Sequence, residues 1–371
     1  MSANEKTSPR IVDHFSLCDD PRRCRIQHKL IDILVIIILA TMCGEEGWEG
    51  FVDWATDKEE YLRRFLPLSN GIPSPDTLRR VVERVDVDQF LSAFIGWTEE
   101  VKVRIPGQMC FDGKTLRKAG SPLHIVSAWC EANRMVLGAV HTEQKGKEIP
   151  AIDKLLDLLI LQEGDIVTID AIGCQQQIIS KIVDQKADYV IALKGNQGNL
   201  HGEVENYFFQ AVKAPVEAHC EAVGALEVLR GRSDIHEVWV TQNLDWLPQL
   251  GDWPGLRSLI MVERRWEAAG KKQQERRYYI SSLRYSPEQL GHLIRRHWSI
   301  ENEFHWHLDV TMKEDESDIG AAANKNLRVA RTIALNLLRE DHTYKRGLRA
   351  KMRRCHRSEA YLDQVLSVGN F

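Results

Sequence analysis

"IVTIDAIGCQ", Ile166 to Gln175, decides the fold: apolar β-formers climb to a carboxylate, Asp170, and small residues then lead into a helix-compatible run. A lone acid after a strand is ordinarily a loop cap. A second one argues otherwise, because "GQMCFDGKTLRKAG" (107–120) sets Asp112 directly after Met109, Cys110 and Phe111 and before a glycine. Between them, "HIVSAWC" (124–130) and "MVLGAVHT" (135–142) flank the turn-like "EANR" and read as a hairpin. "IPAIDKLLDLLILQ" carries helical spacing, and a helix over about 174–186 follows Asp170 before the strand "DYVIALK". With a short strand at Cys110–Asp112, the order β-β-β-α-β-α-β predicts an α/β fold of ribonuclease-H-like type. In its mixed sheet the first and fourth strands are neighbours, so Asp112 and Asp170 meet.

The remainder divides around that unit. Residues 1–105 read as an all-helical N-terminal domain, with Ser74 as N-cap and Pro75 at the first helical position of one helix. "ILVIIILATMC" (33–43) is too short to cross about 30 Å of hydrocarbon and reads as a buried helix. The catalytic unit spans 106–340, with a β-rich insertion at about 196–285 that contains "EVWVTQ", "SLIMVERRW" and "RRYYISSL". Ser286 and Pro287 then open one long helix or two in succession, "SPEQLGHLIRRHWSIENEFHWHLDVTMKEDES". A basic tail is expected over 341–371.

At 371 residues and 43% hydrophobic, the chain can build one sizeable core and a smaller one. Its net charge of -4 excludes a uniformly basic nucleic-acid coat and leaves local patches as the candidates. Eight cysteines without CxxC spacing read as reduced thiols of a cytoplasmic protein, and "MSANEKTSPR" has no secretory pattern. No membrane partner is expected.

Glu301, between two tryptophans and beside histidines, is the third conspicuous acid. Three converging carboxylates can hold two divalent cations about 3.5–4 Å apart, the arrangement that serves phosphodiester chemistry. Mg²⁺ or Mn²⁺ suits such hard oxygen ligands. Zinc at His305, His307 and Asp309 is disfavoured, since i, i+2 spacing on a helix points to different faces. "DGK" lacks the rest of a P-loop. Basic stretches at 20–29, 263–277 and 339–357 are candidate DNA contacts or solvated faces.

"FDGKTLR", "HIVSAW", "VLGAVHTEQKGKEIPA", "TIDAIGCQ", "DYVIALKGNQ", "HWSIENEFHWHLDVTMKEDES" and "NLRVARTIALNLL" together resemble the DDE transposases of the H-repeat-associated group, which are linked to Rhs elements and a bacterial insertion-sequence family. "DPRR", "HKLIDILVIIILATMCG" and "GIPSPDTLRRV" resemble the helical domain that accompanies them. The resemblance implies that Asp112, Asp170 and Glu301 are the catalytic, metal-binding triad of an enzyme that cleaves DNA and transfers strands. The chain departs from the Tyr, Arg, Glu, Lys signature of related transposases: His297 and Leu308 hold the arginine and lysine positions, and Arg296 is one residue off. Lys114, Arg117, Lys194 and Gln197 are candidate phosphate contacts by their placement beside the strand ends. Arg296 and the C-terminal Arg349, Lys351, Arg353 and Arg354 are further DNA candidates. Expected partners are element ends and target DNA, with a homodimer on DNA in the bacterial nucleoid. The rivals are a non-catalytic DNA-binding relic and a ribonuclease-H-like nuclease.

Overall fold

The computed structural model describes residues 11–101, 105–116, 123–142, 146–229, 232–268 and 271–368. Helices come first: α1 (Ile11–Phe15), α2 (Leu30–Cys43), α3 (Gly47–Asp57), α4 (Glu59–Leu62), α5 (Pro75–Val82) and α6 (Val87–Val101). Nearly every residue of α2 is buried, as befits a helix that is apolar all round. Ser74 caps α5, its hydroxyl accepting from the Thr77 N–H at 3.3 Å, and Pro75 supplies a preset φ.

Strands follow as β1 (Gln108–Leu116), β2 (Leu123–Cys130) and β3 (Met135–Thr142), then α7 (Glu148–Leu158), β4 (Ile166–Ile169), α8 (Gln176–Asp184) and β5 (Asp188–Leu193). Next are α9 (Gly198–Ala211), β6 (Cys220–Leu229), β7 (Arg232–Thr241), β8 (Ser258–Ala268) and β9 (Lys271–Ser281). All nine strands form one sheet in the order β3-β2-β1-β4-β5-β9-β8-β7-β6. β1, β4 and β5 run parallel, and every other pairing is antiparallel. β2 is buried along its whole length, the pattern of a strand covered on both faces.

One expectation changes here. Asp112 does not end a short strand: β1 continues through it to Leu116, because β2 pairs with β1 over that whole length while the β4 ladder stops at Phe111. The β-rich insertion joins the central sheet, since β9 hydrogen-bonds to β5.

After β9 come α10 (Pro287–His297), π-helical turns over Ile300–His305 and His307–Thr311, α11 (Ala321–Glu340), α12 (Leu348–Arg357) and α13 (Glu359–Val368). Ser286 and Gln289 close a full capping box on α10. The segment expected as a basic tail carries, after the loop at 341–347, the two helices α12 and α13. They pack because Leu348, Met352, Cys355, Tyr361, Leu362, Val365 and Leu366 join the main hydrophobic core, which α2 and α11 also enter. A smaller cluster places Leu290 and Ile294 of α10 against Val190, Val240 and Ile260 of the sheet.

Candidate active site

Parallel pairing builds the site. In the β1–β4 ladder Phe111 stands opposite Ile169, so the next residue of each strand, Asp112 and Asp170, leaves the ladder side by side. Neighbouring strands are about 4.8 Å apart, and residues in register point to the same face of a sheet. Glu301 arrives on the first π-helical turn; such turns recur at functional sites because the extra residue re-aims a side chain.

The three carboxylates feel one another. Asp112, with 17% of its side chain exposed, is pushed up from 3.8 to about 7 by burial first, then by the charges of Asp170, Glu301 and Glu148, against one backbone hydrogen bond. Burial and Asp170 raise Glu301 as well. Asp170 is the exposed member, its side chain 60% accessible. Among the described residues, no group of three or more His, Cys, Asp or Glu side chains is arranged to hold a metal ion. The cluster is open and mutually repelling.

Two histidines back the acids. His305 Nδ1 lies 3.6 Å from Asp112, and burial holds its pKa well below the usual value, so the contact is that of a neutral ring. His297 Nδ1 is 2.9 Å from Thr168 Oγ1, which leaves Nε2 toward Asp170 at 3.8 Å. Burial lowers His297 too. Neither histidine, nor Glu148 at the start of α7, was singled out as a site residue by sequence. The available signal was His297 standing where the signature has arginine.

A cavity of about 510 Å³ opens on this cluster, lined among others by Asp112, Glu148, Asp170 and Lys194. Lys194 also lines a second cavity on the other side of Asp170, with Arg277 and His297. The turn after Asp170 is tied down by Asn196, whose amide donates to Ala171 O at 2.8 Å, and by Gln197, which donates to Cys174 O at 2.7 Å.

The remaining candidates scatter. Lys114 pairs with Asp309 and lies 3.5 Å from Glu314, inside a buried network with Arg328. Arg296 pairs with Glu131. Lys351 is buried and donates to the Leu338 carbonyl at 2.8 Å and to that of Asp341, which takes it off the surface. Arg354 stacks on Tyr344 and Tyr361, and Arg349 reaches the Val310 carbonyl. Arg353 is exposed. Arg117 lies outside the described residues. Of the basic stretch 263–277, Arg264, Arg265, Arg276 and Arg277 are paired with Asp234, Glu237, Glu263 and Glu275, so most of its charge is spent within the sheet.

Residues 101–337 match the family model described as "Transposase DDE domain", and 12–98 match that of its associated segment, "DDE_Tnp_1-associated". The class so defined is that of DNA transposases with a DDE domain. The "H repeat-associated putative transposase YhhI" of Escherichia coli K12 is 36% identical, the alignment covering 96% of this chain and 98% of that one. The "Putative transposase YncI" of Escherichia coli O157:H7 is also 36% identical, over 96% of this chain and 94% of the relative. A piggyBac transposase synaptic complex with hairpin DNA aligns with a TM-score of 0.43 at 8% identity, over 96% of this chain and 76% of that one. The chain belongs to the DDE transposase family, in its H repeat-associated group. Among the described residues no helix is long and apolar enough to cross a membrane.

Proposed function

We propose that this transposase cleaves a DNA strand at the end of an insertion element and joins the freed 3′-hydroxyl to target DNA, with Asp112, Asp170 and Glu301 holding divalent metal. The observation that carries the reading is the ladder register, which sets the two aspartates side by side while Glu301 lies close enough to repel both. Two Mg²⁺ or Mn²⁺ ions are the fitting occupants, and when bound they supply charge neutralisation and an acidified water. The chain's own residues do the rest. Lys194, exposed between the two cavities, is placed to take a phosphate oxygen; Asn196 and Gln197 hold the Asp170 turn; His297 and His305 stand beside the aspartates.

The five strands β3-β2-β1-β4-β5, with β1, β4 and β5 parallel, support a ribonuclease-H-like core; we read 106–340 as the catalytic unit and 1–105 as its helical companion. Arg349, Arg353 and Arg354 on the exposed face of α12, and Arg296, are the proposed contacts to DNA beyond the site. A homodimer on element ends, in the bacterial cytoplasm and nucleoid, completes the reading.

Nicking of supercoiled DNA with Mg²⁺ tests it. Asp170→Asn keeps the shape and removes a charge that draws in metal, so nicking should collapse while DNA binding persists. Parental nicking by this variant would refute the assignment. Strand-transfer products separate a transposase from a simple nuclease, and absence of nicking in the parent would leave a DNA-binding relic.

A further inference from the structure

A cavity of about 540 Å³ lies between the β2–β3 turn and the α11–α12 junction and shares no lining residue with the two cavities at the acids. Cations crowd it. Arg134 projects from the turn with 67% of its side chain exposed, Arg339 closes the end of α11, and Arg346 stands just before α12. His307 and His342 complete the wall as lining residues.

The acids at hand do not balance this charge. Glu303 pairs with Arg134 at 2.8 Å, an exposed pair of the kind that contributes little and exchanges readily. Glu340 also lines the cavity. Arg339 donates to the backbone carbonyls of Glu303 and Arg134 and lies 4.6 Å over the Trp129 ring, and it makes no ion pair among the described residues. Arg346 is exposed and likewise makes no ion pair among the described residues. His307 shows the effect on a neighbour: burial, then Arg339 and Arg134, hold it down at about 4. The N-terminus of the ten-residue α12 adds to the same sign, since Gly347 offers no side chain to cap it and lines the cavity with Leu348.

We propose that this cleft binds the phosphate backbone of DNA at a place separate from the acids, with Arg134 and Arg346 at its rim and Arg339 at its floor. The cations come from three elements and two are exposed, which suits a strand running past better than a single enclosed anion. The choice of DNA as the polyanion rests on the reading of the protein as a DNA-processing enzyme. Because Arg134 and Arg339 both hold Glu303, two residues beyond Glu301, the cleft also braces the segment that carries the third acid.

The test is binding of a labelled DNA duplex in EDTA across a range of salt, which requires no chemistry at the acids. Changing Arg134 and Arg346 together to Ala should lower the magnitude of the log K against log salt slope by about 1.8, about 0.9 for each phosphate no longer neutralised. At 0.1 M salt that corresponds to about 60-fold weaker binding if the two lines meet at 1 M. The double Lys variant should keep the parental slope, because neutralising a phosphate needs charge more than a fork. An unchanged slope and affinity in the Ala variant would overturn the proposal. So would a thermal shift with inorganic phosphate that the Ala variant abolishes while its DNA slope stays parental, since the cleft would then serve small anions. Loss of nicking in Asp170→Asn with the slope intact bears on the triad alone, so the two failures are distinguishable.

Discussion

Replacing Asp112 by Asn should stabilise the metal-free protein while abolishing its chemistry. In the folded chain this carboxyl rises from 3.8 to about 7, chiefly through burial and then through repulsion by Asp170 and Glu301. At about 1.4 kcal/mol per pH unit, ionising it in place costs about 4 kcal/mol of stability. The sign follows from proton binding: between the two values the folded state holds more protons than the unfolded one, so this group's contribution falls as pH rises. Asn occupies the same volume and never ionises. Its advantage should therefore be near zero at pH 4, grow as the pH is raised, and level off above about 7. Unfolding entropy of about 2.1 cal/mol/K per residue over 371 residues converts about 4 kcal/mol into about 5 °C of thermal midpoint, if the chain melts as one unit. Differential scanning fluorimetry in EDTA at a series of pH values measures it. Adding Mg²⁺ at pH 8 should raise the parent's midpoint and narrow the gap, because a ligand that binds only the folded state stabilises it. A variant that melts lower than the parent at pH 8 in EDTA, or a gap independent of pH, would refute the reasoning.

Two further outcomes follow from burial. Glu314 is fully buried and holds the buried Arg328, so Glu314→Ala should cost about 3–5 kcal/mol, read as a lower denaturant midpoint, by leaving that guanidinium without its carboxylate while Lys114 keeps Asp309. Lys351→Met should lower stability by about 1–3 kcal/mol, since two carbonyls at the end of α11 lose their donor, and should leave the salt slope of DNA binding unchanged. Arg349→Ala with Arg353→Ala, on the exposed face of the same helix, should do the reverse, with stability changing by less than about 0.5 kcal/mol and the slope falling.

What the sequence determined by itself is what depends on near neighbours. Ser74 and Ser286 start helices because their hydroxyls meet N–H groups three residues on. The apolar runs before Asp112 and Asp170 read as strands because side-chain alternation and β-branching are properties of a few consecutive residues. The parallel pairing of the first and fourth strands was also within reach, since few connections join such elements. Tertiary structure alone decided which charges are free. The stretch 263–277 looks like a DNA patch until Asp234 and Glu237 arrive from β7 to neutralise it. Lys114 looks like a phosphate contact until Asp309 and Glu314, almost 200 positions away, enclose it. Lys351 reads as one more cation of a tail until the helix around it turns it inward to the end of α11. His297, His305 and Glu148 reach the aspartates only because distant segments fold over one strand end. Charge acts through space and has no period along the chain, so its partners become visible only when the chain has closed on itself.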